Sequence, residues 1–203
     1  MNSRVRRIFF KELTLDVFET VYNPAEDSFL LAENLPIKEG DSVLDMGTGC
    51  GLLAILAAKK AQRVVATDVN PNAARCATRN ASSNLVADKI ETRHGSLFEP
   101  IKADEKFDVI LFNSPYLPSE AWEGHDMTSR AWAGGESGRQ VIDHFIDVAP
   151  RHLKANGQIL LVQSTLSDVK KSLRRFKEQD LDAKVIAECK VEFETIVVIE
   201  ARC

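Results

Sequence analysis

SVLDMGTGCGLLAILAAKKAQRVVATD, residues Ser42 to Asp68, reads as strand, glycine-rich turn, helix and strand, the unit from which parallel sheets are built. Strands are expected at Ser42 to Met46 and Arg63 to Asp68, with a helix over Leu52 to Lys60. In the turn, Asp45-Met46-Gly47-Thr48-Gly49-Cys50-Gly51, the glycines let the backbone bend sharply out of a strand and let a ligand come close. Asp68 ends the next strand, about 20 residues on, where a carboxylate can accept both hydroxyls of a ribose. A dinucleotide site would want its third glycine one residue later, so that a helix N-terminus meets the pyrophosphate. Asp45 points the same way: a carboxylate there repels phosphate but suits the amino group or sulfonium-bearing tail of a methionine. The expected cofactor is S-adenosyl-L-methionine.

Outward from this unit the alternation continues. Further strands are expected at Lys89 to Arg93, Phe107 to Phe112 and Gln158 to Gln163, with helices at Asn72 to Ala81, Gly138 to Leu153 and Ser167 to Lys177. Two last strands, Ala183 to Lys190 and Glu194 to Ala201, are joined too tightly for a crossover and should pair antiparallel. The fold class is α/β: five parallel strands followed by a terminal hairpin, which resembles the seven-stranded sheet of the class I (Rossmann-like) methyltransferases. Residues 1–40 stand apart as an N-terminal extension, with strand-like alternation over Arg4 to Val21 and a helix over Ala25 to Leu35, ahead of a domain spanning 41–203. One compact domain overall is expected.

Asn113-Ser114-Pro115-Tyr116 closes the apolar run Phe107 to Phe112, at the carboxyl edge where ligands of open α/β sheets collect. Amides and aromatic amines have a delocalised nitrogen lone pair. An enzyme that alkylates one must take both hydrogens as hydrogen bonds, and the Asn113 side-chain oxygen beside the Ser114 carbonyl supplies two acceptors. Pro115 biases Ser114 to extended geometry, and Tyr116 offers a flat face for stacking. The expected chemistry is in-line methyl transfer to a planar nitrogen.

The chain has 203 residues, 44% of them hydrophobic, enough for a core without disulfides. A net charge of -4 lacks the basic excess of a protein that grips nucleic acid along its length. Cys50, Cys76, Cys189 and Cys203 form no C-x-x-C pair, which fits a reducing, cytoplasmic setting. No stretch reaches membrane-spanning length. His94, His125, His144 and His152 share no metal-ligand spacing and are expected at the surface; no metal is expected. Lys170, Lys171, Arg174, Arg175 and Lys177 are expected to form a solvated helix face. Arg4, Arg6, Arg7 and Lys11 belong to an extension expected to overhang the pocket, and Trp122 and Trp132 flank a loop long enough to act as a lid.

These residues resemble the HemK-related glutamine methyltransferases. The likeness rests on the tetrapeptide and glycine turn and on three further stretches: Val21-Tyr22-Asn23-Pro24-Ala25-Glu26-Asp27-Ser28-Phe29-Leu30-Leu31; Ala131-Trp132-Ala133-Gly134-Gly135 with Gly138-Arg139, Val141-Ile142-Asp143 and Phe145; and Glu194-Thr195-Ile196-Val197-Val198. They are similar to the archaeal and eukaryotic branch, which methylates the glutamine of the Gly-Gly-Gln loop of class 1 translation termination (release) factors. The resemblance implies cofactor contacts from Ser28, Asp45, Gly47, Asp68, Ser96, Leu97 and Asn113, with Gly49 in the same turn. It implies that Asn113, Ser114, Pro115, Tyr116 and Leu117 hold the substrate side chain. It also implies a small zinc-binding activator protein forming a heterodimer, for which Lys89 to Arg93, as outer strand, offers an edge open to augmentation; Lys89, Glu91 and Arg93 could equally guard that edge. Two positions depart from the family. Ser114 stands where proline is usual, at the cost of some rigidity, and Ser96 where an acid is frequent, which weakens an acceptor.

Two other readings share these motifs. Methylation of an exocyclic base amine in RNA or DNA would use the same tetrapeptide but need a positively charged platform and a way to extrude the base. A cofactor-binding scaffold without turnover would be consistent with Ser114 and Ser96.

Overall fold

The computed structural model describes residues 5–117 and 138–203. The expected lid between Trp122 and Trp132, His125, the Ala131 to Gly135 stretch and Arg4 lie outside the described residues.

The described chain is a seven-stranded sheet with helices against it, preceded by a separate hairpin. β1 (Val5–Phe10) and β2 (Leu13–Phe18) pair antiparallel. After α1 (Glu26–Glu33) come β3 (Ser42–Met46), α2 (Leu52–Ala58), β4 (Arg63–Asp68), α3 (Pro71–Ser83), β5 (Ile90–His94) and β6 (Phe107–Asn113). Then follow α4 (Gln140–Val148), β7 (Leu153–Ser164), α5 (Val169–Glu178), β8 (Asp182–Lys190) and β9 (Thr195–Arg202). The sheet order is β5-β4-β3-β6-β7-β9-β8, parallel from β5 to β7 and antiparallel through β9 and β8. This is the expected class I methyltransferase sheet with its terminal antiparallel hairpin. The central strands are apolar on both faces because helices cover both: Val43, Leu44, Val64, Val65, Ile110, Leu111, Leu160 and Leu161 are all fully buried.

Several elements differ from their sequence reading. The helix expected over Gly138 to Leu153 ends at Val148, and a 3-10 turn, Ala149–His152, carries Pro150, which cannot continue an α-helix. β7 begins at Leu153, ahead of the expected Gln158, and pairs with β6 through a register shift between Phe107 and Val109. The expected surface position of His152 is wrong: it is 7% exposed, stacked on Phe98 with ring centroids 5.1 Å apart, and its Nδ1 meets the Glu105 carbonyl at 2.9 Å. The basic face of α5 is tied to α4, with Lys171 bound to Asp143 at 3.0 Å and Arg175 to Asp147 at 2.5 Å.

The front hairpin is fastened to the domain by α3. Asn80, 1% exposed, accepts from the Asp16 backbone N–H (2.9 Å) and donates to the carbonyls of Asp16 (2.9 Å) and Cys50 (2.8 Å). One side chain thus joins β2, α3 and the glycine turn. The Cys76 thiol donates to the Asp16 carbonyl as well, and Asn70 holds the Thr20 carbonyl at 2.7 Å. The chain leaving β2 is thereby led to the end of the sheet where β3, β4 and β6 open.

Candidate active site

At that end lies a cavity of about 330 Å³, lined by residues of the β3–α2 turn, the end of β4, the loop after β5, the end of β6 and the segment before α1. A volume of this order suits a nucleoside-sized ligand. Of the residues read as site residues from sequence, Ser28, Gly47, Gly49, Asp68, Ser96, Leu97, Asn113 and Pro115 line it, whereas Asp45, Ser114, Tyr116 and Leu117 do not.

The turn is shaped by backbone that only glycine adopts without strain. Gly47, Gly49 and Gly51 have φ of 68°, 56° and 89°. The Thr48 N–H donates to the Thr67 carbonyl at 2.9 Å and the Gly49 N–H to Asp68 Oδ2 at 2.9 Å, which moors the turn to β4. Asp68 Oδ1 accepts from the Asn70 N–H at 2.8 Å. Each carboxylate oxygen has two lone pairs, so both keep one for a vicinal diol. Burial raises the Asp68 carboxyl pKa, opposed by these backbone donors.

Asp45 lies apart from the lining residues. Its carboxylate is fully buried beneath the turn, where Oδ2 accepts from Thr48 Oγ1 (2.6 Å) and from the Ala54 N–H (3.1 Å) in the first turn of α2. Gly51 precedes that helix and has no side chain to cap it, so Asp45 satisfies one of its orphan donors from below. Burial pushes the Asp45 carboxyl up to about 7. It shapes the turn and does not reach the cavity. Gly51 differs as well from the sequence reading, because it faces α3 rather than the cavity.

Asn113 stands at the last position of β6. Its Nδ2 donates to Asp27 Oδ2 at 3.0 Å and to Ser28 Oγ at 3.2 Å, while its Oδ1 is buried with no partner among the described residues. A carboxylate offers only acceptors, so the NH2 end of the amide must face Asp27 and the oxygen is left free. Ser114 is 2% exposed, and its Oγ donates to the Val162 carbonyl at 2.7 Å. That bond ties the tetrapeptide to β7 and supplies an anchor that a proline ring could not. Tyr116 departs from the expected stacking role: it is buried, with its hydroxyl donating to Asp27 at 3.4 Å. Leu117 packs half-buried against the core. Ser96 and Leu97 follow β5, with the Ser96 N–H donating to Glu99 at 3.0 Å and Leu97 at φ 46°.

Tyr22 and Asp27 escaped the sequence reading as site residues. Tyr22 lines the cavity, and its hydroxyl donates to both Asp27 oxygens at 3.1 and 3.0 Å. Burial, then the charge of Asp27, holds both phenols well above the ordinary tyrosine range. An acid in the first turn of a helix is commonplace, so nothing at Asp27 itself signals a junction with residues some 90 positions away. Among the described residues no group of His, Cys, Asp and Glu side chains could hold a metal ion, and no helix is long and apolar enough to cross a membrane.

Comparison with known proteins accords with this geometry. The model of the family "Methyltransferase small domain" matches residues 25–184. The putative protein N5-glutamine methyltransferase MJ0928 of Methanocaldococcus jannaschii is 40% identical over 191 residues, covering 93% of this chain and 95% of that protein. The human methyltransferase HEMK2 is 31% identical over 194 residues, covering 90% of each. The Aquifex aeolicus release factor glutamine methyltransferase is 34% identical, but the match covers 58% of this chain and 43% of that protein. Among solved structures, the E. cuniculi Mtq2–Trm112 complex, described as responsible for methylation of the eRF1 translation termination factor, superposes with a TM-score of 0.70 at 25% identity, covering 90% of this chain and 98% of that one. Matched nearly end to end by the archaeal and human proteins and only in part by the bacterial one, this chain belongs to the HemK-related protein-glutamine methyltransferases and is an enzyme of that family.

Proposed function

We propose that this enzyme transfers a methyl group from S-adenosyl-L-methionine to the side-chain amide nitrogen of the glutamine in the Gly-Gly-Gln loop of a class 1 translation termination factor, in the cytoplasm. The observation that carries the reading is the Asn113 amide, whose nitrogen is spoken for and whose buried oxygen is not. A buried acceptor without a donor costs about 1–3 kcal/mol, and an incoming NH2 group relieves that cost on binding.

The cofactor, when bound, would supply a methyl group activated by a sulfonium: the N–C bond would form as the S–C bond breaks, S-adenosylhomocysteine would leave as a neutral thioether, and the methylated amide would release one N–H proton to solvent. Asp68 holds the ribose diol with its free lone pairs, and Ser28, Gly47, Gly49, Ser96 and Leu97 complete the donor's surroundings. Asn113 Oδ1 and the Ser114 carbonyl take the two amide hydrogens and turn the nitrogen lone pair toward the methyl. Pro115 walls the glutamine side chain, while Tyr116 and Leu117 support the tetrapeptide from behind through Asp27 and the core. Orientation of two bound reactants accounts for roughly 7–11 kcal/mol of the barrier, and the two acceptors stabilise positive charge as it grows on nitrogen. Residues 1–40 serve as an extension of one catalytic domain, 41–203.

A small zinc-binding activator joins along β5. The support is positional: β5 ends the sheet, so one row of its backbone groups has no strand beside it among the described residues. Its side chains turn to their neighbours, Arg93 to Glu105 at 2.6 Å and Glu91 to Arg63 at 2.9 Å.

The test is label transfer from methyl-labelled donor, with and without the activator, to a termination factor, to transfer RNA and to DNA. Label is expected on the factor and absent when the Gly-Gly-Gln glutamine is replaced. Label on nucleic acid alone would establish the base-amine alternative, and donor binding with no acceptor labelled would establish the scaffold.

A further inference from the structure

Asp27 is 4% exposed, and each group bonded to it is a donor. The Ser28 backbone N–H (2.5 Å) and hydroxyl (3.1 Å) donate to Oδ1, and Asn113 Nδ2 (3.0 Å) and the Tyr116 hydroxyl (3.4 Å) to Oδ2. The Tyr22 hydroxyl reaches both oxygens. Asp27 does not line the cavity, whereas Asn113 does. Tyr22 and Ser28, also bonded to Asp27, line the cavity as well, but of the three it is Asn113 that ends β6 and carries an amide oxygen unpartnered among the described residues.

An Asn side chain has two orientations, related by a half-turn of its amide, that match in shape and are opposite in chemistry. One presents an acceptor to the cavity and the other presents two N–H donors, which would confront the two N–H donors of a primary amide. We infer that Asp27 is the positioning residue that selects the productive orientation: by accepting from Nδ2 it turns Oδ1 of Asn113 to the acceptor substrate. Ser28 Oγ also accepts from Nδ2 at 3.2 Å, but a hydroxyl can equally donate and here its proton goes to Asp27, so the carboxylate, which only accepts, decides the orientation of both. An Asn at position 27 has one oxygen and one NH2, so either its NH2 opposes the Ser28 N–H or it opposes Asn113. The second conflict is relieved by a half-turn of Asn113, which delivers the wrong group to the cavity. Tyr22 and Tyr116 share the task of holding the carboxylate still, and both phenols remain protonated donors because burial raises them.

The inference relies on the function proposed above for the class of acceptor, though not for the contact itself. It is tested on Asp27→Asn, Asn113→Ala and the double variant, with the full chain and its activator acting on the termination factor. Asp27→Asn is expected to lower kcat roughly 100- to 1,000-fold, as loss of a preorganised polar group at a reacting centre does. Affinity for S-adenosylhomocysteine, measured by calorimetry, should change by less than about threefold, since no transition-state contact is involved in that binding. Added to Asn113→Ala, Asp27→Asn should cost nothing further, because residues acting as a unit are not additive. Losses that multiply, or donor affinity that falls in step with kcat, overturn the inference. Tyr22→Phe, which keeps the carboxylate, should slow turnover about 3- to 10-fold, the worth of one charge-assisted hydrogen bond. It provides a reading even where Asp27→Asn unfolds, and an unchanged rate counts against the inference. A further readout needs no acceptor. In 15N spectra the Asn113 side-chain NH2 should be protected from exchange in the unaltered protein and in fast exchange in Asp27→Asn. No label on the factor together with a protected, Asp27-dependent NH2 refutes the proposed function alone, while an NH2 indifferent to Asp27 refutes the positioning role alone.

Discussion

The α-carbon of Ala77 stands 3.0 Å from the point that a β-carbon on Gly51 would occupy, and the Ala77 β-carbon 3.1 Å. The third glycine of the turn is thus a contact between α2 and α3. Gly49, with no atom within 4 Å of the same construction, is the one whose space is open. Gly51→Ala combines left-handed backbone with overpacking and should cost about 2–5 kcal/mol. Gly49→Ala meets only the backbone penalty, about 1–2 kcal/mol. Urea unfolding of the two variants should rank them in that order, with donor affinity hit harder by Gly49→Ala, since its added methyl projects where the ligand is expected.

Asp45 makes stability depend on pH in a defined window. Its carboxyl moves from 3.8 in the unfolded reference to about 7 when folded. Between those values the folded chain binds the extra proton, so this group's contribution falls as pH rises through the window and is constant above it. Glu91 and Glu105 are pulled below the usual carboxylate range by Arg93, and their contribution is lost only at more acid pH, below their unfolded value of 4.5. Relative to Asp45→Asn, the unaltered protein should therefore lose on the order of 1–4 kcal/mol between about pH 4 and pH 7 in chemical denaturation. A difference independent of pH would show that Asp45 is ionised throughout.

On the proposed reading Asp68 would hold the donor and take no part in the transfer. Asp68→Ala removes the charged acceptor for a diol, one anchor of the turn at Gly49 and the acceptor of the Asn70 N–H, and should weaken S-adenosylhomocysteine binding roughly 10- to 150-fold by calorimetry. At saturating donor, kcat should recover most of its value. A kcat that stays low would place Asp68 in the chemical step.

Asn113→Ala should behave in the opposite sense. Its buried oxygen has no partner among the described residues, so on the proposed mechanism donor affinity should persist while kcat falls about 100- to 1,000-fold. Single-turnover transfer with pre-bound donor separates the two effects, and full activity would remove the amide from the mechanism.

An activator that lengthens the sheet has to protect β5. Hydrogen exchange at the outward amides of Ile90–His94 should slow about tenfold or more when the partner is added, while β8, at the other edge, should be indifferent. Protection at β8 in place of β5 would move the interface to the far side of the molecule.

Patterns with a short period are legible in the chain itself. The apolar runs that became β3, β4 and β6 are buried on both faces, so hydrophobicity alone marks them. The turn at Gly47 and Gly49, the acid at Asp68 and the tetrapeptide at Asn113 each sit at the end of such a run, and the topology of a parallel sheet brings those ends to one edge. Ser96 and Leu97 reached the cavity on family resemblance, without any pattern of their own. The burial of His152 has no local signature because tertiary contacts with Phe98 and Glu105 decide it, and α4 stops short of its expected end at the turn carrying Pro150.

By itself the sequence determined which segments pair into the sheet, where its ligand-bearing edge lies and which residue types stand there, because hydrophobic period and turn chemistry are local properties. Which of those residues face the cavity was decided by the tertiary structure alone. Asp45 turned downward to cap α2, Gly51 turned toward Ala77, and Asp27 came 86 positions across the chain to hold the Asn113 amide by its nitrogen. A hydrogen bond between groups on different elements leaves no periodic trace, since its geometry exists only once the elements have packed.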